Sequence, residues 1–424
     1  MKKLSISFFC IFLSIISISQ EKTKISSFSN DVPVFLDQLD KLLNVNNKSL
    51  SRVFKQFEES INNNSSDTVI IKRIINICDK MLQKRLRPNP HFYNLLMVIN
   101  QFNFQNQSIN NFSSWLNVVE KMIDESTVKR LMQYFKFTEN FISTSTLRSS
   151  RAVSWNCPNE KYIFMFENGN PFIFFPDKFT LSCSSKGATI YIYDTKGRFW
   201  PISNKWEGLG GYITWEKLGF SKDSVYAQLD EYKIDLTEDY IKAESVLLYN
   251  KKIFTKPIPG TIKHKIDIRG YNKKASYPYF RSNVKNVVIN NIFPDVDYIG
   301  GYILKGSEFI ADGGDYAEAK VILKRDNKPI IIANANRFSI QKDKISSQLS
   351  AVKLFFDNDS IYHSALKFTY KDSERKLELY RKRNGISESP LINTYHQITM
   401  DCEFLEWNID QDIIFFGSLP GTSS

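Results

Sequence analysis

The sequence is poor in the residues that build most catalytic and metal sites. It has four histidines, His91, His264, His363 and His396, and no two stand at the i, i+4 spacing of zinc hydrolases. It contains no G-x-S-x-G turn for a serine nucleophile and no phosphate-binding glycine loop. These absences exclude the common hydrolase and nucleotide-binding patterns. We therefore expect no enzyme, no cofactor and no metal site.

Cysteine is scarce as well, with five residues in the 424 of the chain. Cys10 lies inside an apolar N-terminal run, and neither the count nor the spacing of the others is typical of a disulfide-dense scaffold. Cys157 and Cys183 bracket a candidate hairpin, and facing positions on neighbouring strands can satisfy disulfide geometry. The sequence thus leaves two interpretations of these two cysteines, a disulfide or a pair of buried thiols.

Long apolar runs are missing after the first residues. Lys2 and Lys3 precede an apolar run of about fifteen residues that extends to Ile18, whereas a membrane-spanning helix needs about twenty. This pattern is typical of a signal peptide. We predict that residues 1–20 are a cleaved signal peptide and that no transmembrane helix remains. The mature protein would be exported to the periplasm, the outer membrane or the cell surface.

The charge is basic but diffuse. The net charge of +11 falls by two when Lys2 and Lys3 leave with the signal, and the basic residues are spread along the chain. This distribution argues against nucleic acid as a partner. We expect envelope proteins, lipid surfaces or glycan surfaces instead, and no pattern in the sequence indicates an oligomeric state.

Residues 21–143 have helical periodicity. Asp31 can cap a helix that contains Pro33, and Ile74 and Ile77 belong to an apolar stripe at helical spacing. The sequence therefore predicts an all-α N-terminal domain, either a helical bundle or a stack of helical hairpins.

Residues 144–205 read as a polar linker followed by β-hairpins. The Asn168-Gly169 pair between two apolar runs predicts one hairpin, and the segment 194–197 predicts a second turn.

The remaining chain shows weak internal similarity that predicts two β modules, residues 206–295 and 296–424. The segment 210–213, reading Gly-Gly-Tyr-Ile, recurs at 300–303. Further matched apolar positions are Tyr232, Ile234, Ile241, Val246, Leu248 and Tyr249 in the first copy, and Phe338, Ile340, Ile345, Val352, Leu354 and Phe355 in the second.

The short alternating strands favour antiparallel modules, built as sandwiches or as one elongated open sheet. The fold class is therefore α+β and multidomain. Truncation of the second module stays open, because no recognisable sorting segment follows Leu419.

Tryptophan beside glutamate suggests one candidate ligand site. Trp206, Trp215 and Trp407 each adjoin a glutamate, an arrangement that a sugar site can use. The alternative is that these are core aromatics beside surface acids. The candidate stacking platforms for a glycan are Trp200, Trp206, Trp215 and Trp407.

Three segments carry a resemblance to a known group of proteins. They are Trp155, the stretch 210–219 reading GGYITWEKLG, and the stretch 359–368 reading DSIYHSALKF. The chain resembles an uncharacterised family of long exported envelope proteins of Bacteroidota type. The resemblance implies a helical first part and a repetitive β-rich remainder, and it implies no functional residue.

Two functional hypotheses follow. The first is an exported non-enzymatic envelope protein that acts as a scaffold or binding protein and contacts lipid or an envelope partner. The alternative is a glycan-binding or glycan-processing surface protein.

Overall fold

The computed structural model describes residues 25–43, 48–63, 68–105, 107–158, 161–266, 275–313, 318–382 and 385–418. The predicted signal peptide lies outside the described residues. The chain divides into two compact units, residues 1–100 and residues 101–424. Within the described stretches, no helix is both long enough and apolar enough to cross a membrane.

Six α-helices come first in the part of the chain that the structure describes. They are α1 (Val32–Leu43), α2 (Lys48–Asn63), α3 (Thr68–Gln83), α4 (Tyr93–Phe104), α5 (Ile109–Glu125) and α6 (Val128–Thr144), with a short π-helical turn at Pro88–Phe92. The predicted cap of α1 is present, since Asp31 Oδ1 accepts a hydrogen bond from the Val34 N–H at 3.1 Å. The predicted stripe on α3 is buried at both Ile74 and Ile77.

Twenty-five described strands follow the helices. They are β1 (Thr146–Ser149), β2 (Ser154–Asn156), β3 (Ile163–Glu167), β4 (Asn170–Ser185), β5 (Ala188–Trp200), β6 (Lys205–Leu209), β7 (Tyr212–Thr214), β8 (Val225–Leu229), β9 (Glu231–Asp235), β10 (Tyr240–Asn250), β11 (Ile258–Lys265), β12 (Tyr279–Ser282), β13 (Val287–Phe293), β14 (Val296–Lys305), β15 (Glu308–Asp312), β16 (Ala319–Arg325), β17 (Lys328–Ala335), β18 (Arg337–Gln341), β19 (Lys344–Phe356), β20 (Asp359–Lys371), β21 (Lys376–Tyr380), β22 (Leu391–Asn393), β23 (Ile398–Met400), β24 (Phe404–Asn408) and β25 (Ile414–Gly417). Two 3-10 turns stand at Glu216–Leu218 and Gly385–Glu388.

Every pairing between the described strands is antiparallel. In the first part of the sheet β4 pairs with β2, β3 and β5, and β5 continues to β6 and β9. Tyr193 of β5 also pairs with Tyr212 of β7, which leads through β8 and β10 into the later strands. The predicted α+β class, with helices first and antiparallel strands afterwards, is therefore confirmed.

The last two helices pack on the first strands. The Phe164 N–H of β3 donates to Ser114 Oγ of α5 at 3.3 Å, and the ring centroids of Phe141 on α6 and Phe164 are 6.3 Å apart. The Trp115 Nε1–H donates to Thr138 Oγ1 at 3.2 Å, which joins α5 to α6. These helices thus belong to the unit that holds the strands, whereas the sequence assigned residues 21–143 to one helical domain.

One predicted hairpin is confirmed and the other is wrong. β3 and β4 pair from Ile163–Phe174 to Glu167–Asn170, around Asn168 and Gly169 with φ of 51° and 75°. The segment 194–197 is not a turn, because β5 runs through it as one strand. The left-handed φ of 52° at Asp194 produces an irregularity there, and the pairing of β4 with β5 shifts nearby.

The structure does not confirm the predicted repeat. The two Gly-Gly pairs differ, since Gly210 and Gly211 have positive φ before β7 and the pair at 300–301 lies within β14. The matched apolar positions downstream agree better, because they fall on β9–β10 and on β18–β19 in the same order. β18 pairs with β19, but no described pairing joins β9 to β10.

Of the two interpretations of Cys157 and Cys183, the structure has the pair of buried thiols. The register gives the reason. Trp155 stands directly opposite Cys183, so Cys157 lies diagonally away from it, at a separation that favours packing over bridging. Burial raises the pKa of the Cys183 thiol to about 12, which leaves it protonated and unreactive.

Candidate ligand-binding face

Four neighbouring strands share an unusual outward surface. Side chains alternate along each strand, so Ile190, Ile192 and Ile213 point into the core while the residues between them point outward. We call the outward set the tyrosine face: Thr189, Tyr191 and Tyr193 on β5, Tyr212 and Thr214 on β7, Tyr226 and Gln228 on β8, and Leu247 and Tyr249 on β10.

The five tyrosines form a continuous row of ring contacts. Successive centroids, from Tyr191 through Tyr193, Tyr212 and Tyr226 to Tyr249, are 5.5, 5.4, 6.2 and 4.6 Å apart. All five side chains are partly exposed. Rings that contact one another across strands hold each other in place, so little rotamer freedom remains to be lost when a ligand binds.

None of the nine positions of the tyrosine face carries a charge. The outward positions on β6 and β9 carry charged side chains instead, as solvent-exposed strands usually do. Among them, Lys233 Nζ lies 2.8 Å from Glu207 Oε1. This hydrogen bond from Lys233 lowers the pKa of the Glu207 carboxyl. Burial raises the pKa of Tyr193 and of Tyr226, so both phenols are neutral hydrogen-bond donors.

A cavity of about 290 Å³ opens beside the β5 end of the tyrosine face. Thr189, Tyr191, Tyr193 and Thr214 of the face belong to its lining, together with Trp215, Lys217, His264 and Tyr277. This volume is near the lower end of the usual range for small-molecule sites, about 300–1,000 Å³.

Two ring nitrogens in the lining of this cavity have unmet hydrogen-bonding capacity. His264 Nδ1 and Trp215 Nε1 are both buried and have no hydrogen-bond partner among the described residues. Burial, and secondarily the charge of Lys217, lowers the pKa of His264 to about 3. The imidazole is therefore neutral at ordinary pH, and it offers one donor and one acceptor.

Comparison with protein-family models, with curated proteins and with solved structures gives no match to this chain. The interpretation of the tyrosine face and its cavity therefore rests on their geometry and chemistry.

The four tryptophans predicted as stacking platforms do not form one. Trp206, Trp215 and Trp407 are buried, and Trp200 is half-buried against Phe172, with centroids 4.7 Å apart. No ring contact among the described residues joins any two of the four. The three buried tryptophans therefore cannot stack on a glycan. Of the four, Trp215 alone lines the cavity of the candidate site.

The two other buried indoles are explained by their place in the core. Trp206 packs on Phe175 and Phe179, with centroid distances of 5.7 and 5.6 Å. The Trp407 Nε1–H donates to the Gln411 carbonyl at 2.8 Å. These two indoles fill the sheet interior, and each N–H donates its hydrogen bond there. The neighbouring glutamates in the sequence suggested a sugar site instead.

One serine–histidine pair has the wrong tautomer for catalysis. Ser389 Oγ lies 3.4 Å from His363 Nε2, but His363 Nδ1 accepts a hydrogen bond from the Ala365 N–H at 2.9 Å. The ring proton is therefore on Nε2, which donates to the Ser389 carbonyl at 2.7 Å. A nitrogen that holds its proton cannot take one from the serine hydroxyl, so this pair does not activate a nucleophile.

Proposed function

We propose that this chain is an exported, non-enzymatic cell-envelope protein whose β unit acts as a scaffold. In this proposal the scaffold joins a β-rich envelope protein through its last described strand. The support is an apolar strand edge at β25.

The hydrophobic core continues into β25 without being covered there. On β24, Leu405 and Trp407 are buried. On β25, Phe416 stands opposite Leu405 in the register, yet its side chain is 40% exposed. Phe415 stands opposite Glu406, on the other side of the sheet, and is 59% exposed. One strand spacing therefore separates a filled core from an open one.

An open strand edge with apolar side chains is a site where another strand can pair. Within the described part of the chain, β25 pairs only with β24, which leaves its other edge without a partner. Monomeric proteins usually protect such edges with charge, proline or a covering segment. Phe415 and Phe416 leave this edge apolar and unprotected, which favours the addition of a strand from a partner.

A second branch of the sheet supports the same location. Beyond β20 the sheet divides into β21–β24–β25 and β22–β23. Both branches, and the segment before β22, carry exposed apolar side chains: Ile386, Ile392, Tyr395, Ile398, Ile413, Phe415 and Phe416. Exposed apolar residues concentrated in one stretch mark an interaction site.

A photo-cross-linking residue in place of Phe415 tests this proposal. In the native envelope fraction we expect one discrete protein adduct, because β25 would lie against the partner. The matched control replaces Val288, which is 55% exposed on β13 and lies outside this region.

An adduct from position 415 and none from position 288 supports the proposal. Equal adducts from both positions, adducts with lipid alone, or no adduct at either position contradict it.

Export and membership of the long envelope-protein family belong to the same proposal. Lys2, Lys3 and the apolar run that follows support export. The helical first part and β-rich remainder agree with the organisation that the resemblance implies.

Glycan binding is a second candidate function, which one specific observation favours. The tyrosine face presents aromatic rings, hydroxyls and an amide without charge, and this combination suits a sugar. The support comes from tyrosines and not from the tryptophans on which the sequence-based hypothesis relied.

A further inference from the structure

We infer that the tyrosine face binds an uncharged polysaccharide and that the cavity beside it takes one sugar ring of that chain. This inference rests on the glycan-binding candidate function. It adds the class of glycan and the residues that bind it.

The tyrosine face matches the surface of a sugar chain in its chemistry. A sugar ring has patches of C–H groups and a rim of hydroxyls that both donate and accept hydrogen bonds. Tyrosine supplies an apolar ring and a polar tip in one side chain. Thr189, Thr214 and Gln228 add three more hydrogen-bonding side chains between the rings.

Charges of both signs stand around the face, and no single sign dominates it, which favours an uncharged ligand. Lys217 Nζ lies 5.0 Å from the ring centroid of Tyr191, and Lys251 Nζ lies 5.9 Å from that of Tyr226. Acids stand near both ends too. After burial, the charge of Glu216 contributes to the raised pKa of Tyr193, and the charge of Asp223 contributes to that of Tyr226.

The size of the face favours a chain over a single sugar. Neighbouring strands lie about 4.8 Å apart, so the rings on four strands extend over about 15 Å. That length exceeds one sugar ring, and the contacts between rings give a continuous track for several.

The cavity complements a hydroxyl group. Trp215 Nε1 can only donate a hydrogen bond, and the neutral His264 ring can accept one. A sugar hydroxyl both accepts and donates, so the hydroxyls of one sugar ring offer the matching group to each residue. Both nitrogens are covered by the cavity wall, and we expect at least one ring to turn when the sugar enters.

A protein partner fits this face less well than it fits β25. Leu247 is the one aliphatic residue among the nine positions, whereas the β25 region is mainly aliphatic and phenylalanine. The cores of protein interfaces are apolar and fully desolvated, and a face tipped with hydroxyls is costly to desolvate without matching polar groups.

The test is affinity electrophoresis of the full chain in gels that contain single polysaccharides, neutral ones (glucan, mannan, xylan) and acidic ones (alginate, pectin). We expect retardation by at least one neutral polysaccharide. Tyr212→Ala, at the centre of the row, is expected to weaken binding at least about tenfold, and Tyr212→Phe less. Trp215→Phe is expected to weaken binding several-fold.

The matched control is Tyr362→Ala, which removes a tyrosine that is 39% exposed on β20, outside the face, and leaves polysaccharide binding unchanged. Unchanged melting temperatures show that each variant is folded. If a neutral polysaccharide binds and Tyr212→Ala does not weaken it, glycan binding stands and the assignment to this face is wrong. Retardation by acidic polysaccharides alone contradicts an uncharged ligand, and no retardation by any gel contradicts glycan binding itself. If Tyr212→Ala stops binding an envelope protein but still binds the polysaccharide, the face is a protein site, and this result also contradicts the inference.

Discussion

Tyr232 on β9 is a buried residue whose hydroxyl contacts side chains of both β5 and β6. Its hydroxyl lies 2.5 Å from Thr195 Oγ1 and accepts a hydrogen bond from the Trp206 Nε1–H at 3.4 Å. Gly208 leaves room for the ring, because a Cβ there would lie 2.2 Å from a ring carbon of Tyr232. Trp206 is therefore satisfied within the core and unavailable to a ligand.

His264 makes the stability of the β unit depend on pH. Its pKa is lowered to about 3 in the folded chain, against about 6.5 in an unfolded one. Between these values the unfolded chain binds the extra proton, so stability decreases as pH falls through this window. Protonation of this one residue changes the free energy of unfolding by at most about 1.4 kcal/mol per pH unit.

His264→Gln is expected to flatten this dependence, because the amide does not titrate. The measurement is the denaturation midpoint of both chains at pH 7, 6, 5 and 4.5. His396→Gln, at an exposed position, is the control and should keep the full slope. Equal slopes for His264→Gln and the unchanged chain would show that His264 is not responsible.

Arg375 joins three separate turns at one end of the strands. Its guanidinium lies 3.2 Å from Asp295 Oδ2 and 3.0 Å from Asp410 Oδ1, and it donates to the Pro294 carbonyl at 3.0 Å. The planar fork of arginine makes these contacts together, which the single ammonium of lysine cannot. The elements connected are β13–β14, β20–β21 and the turn after β24.

We expect Arg375→Lys to lower the free energy of unfolding by about 1 kcal/mol, because at least one charge-assisted hydrogen bond is lost. Denaturant unfolding measures the change. The control is Arg337→Lys, since Arg337 is exposed and its Nη2 lies 4.0 Å from Asp312. A loss as large in the control would mean that the fork geometry at residue 375 does not matter.

Local patterns predicted the elements whose causes are local. The capping Asp31, the stripe of α3 and the Asn168-Gly169 turn all depend on neighbours within a few residues. The segment 194–197 misled, because a left-handed residue followed by glycine suits a turn and a strand irregularity equally well. Long-range pairing of β5 with β4 and β6 decides between them.

At the scale of the whole molecule, sequence reasoning missed the tyrosine face because its members come from four strands. Each contribution is only a short alternation, such as Thr-Ile-Tyr-Ile-Tyr at 189–193 or Tyr-Ile-Thr at 212–214. Each alternation predicts a strand with one solvent-exposed side, but it does not predict that these four strands are neighbours in the sheet. The tryptophans were conspicuous in the sequence, yet large aromatic side chains contribute most when buried.

The division of the chain was also hidden by local pattern. The helices α5 and α6 have the same apolar periodicity as those before them, but Ser114 of α5 accepts a hydrogen bond from the Phe164 N–H of β3, and Tyr134 and Phe141 of α6 pack on the Phe164 ring. Periodicity identifies a buried helix face and does not say which element covers it.

The central claim, that this is an exported envelope protein, is tested most directly by locating and weighing the chain in cells that make it. Fractionation followed by intact-mass measurement should find it in the envelope or outside the cell, lighter by the first twenty residues or close to that number. A full-length chain recovered from the cytoplasm would contradict the account.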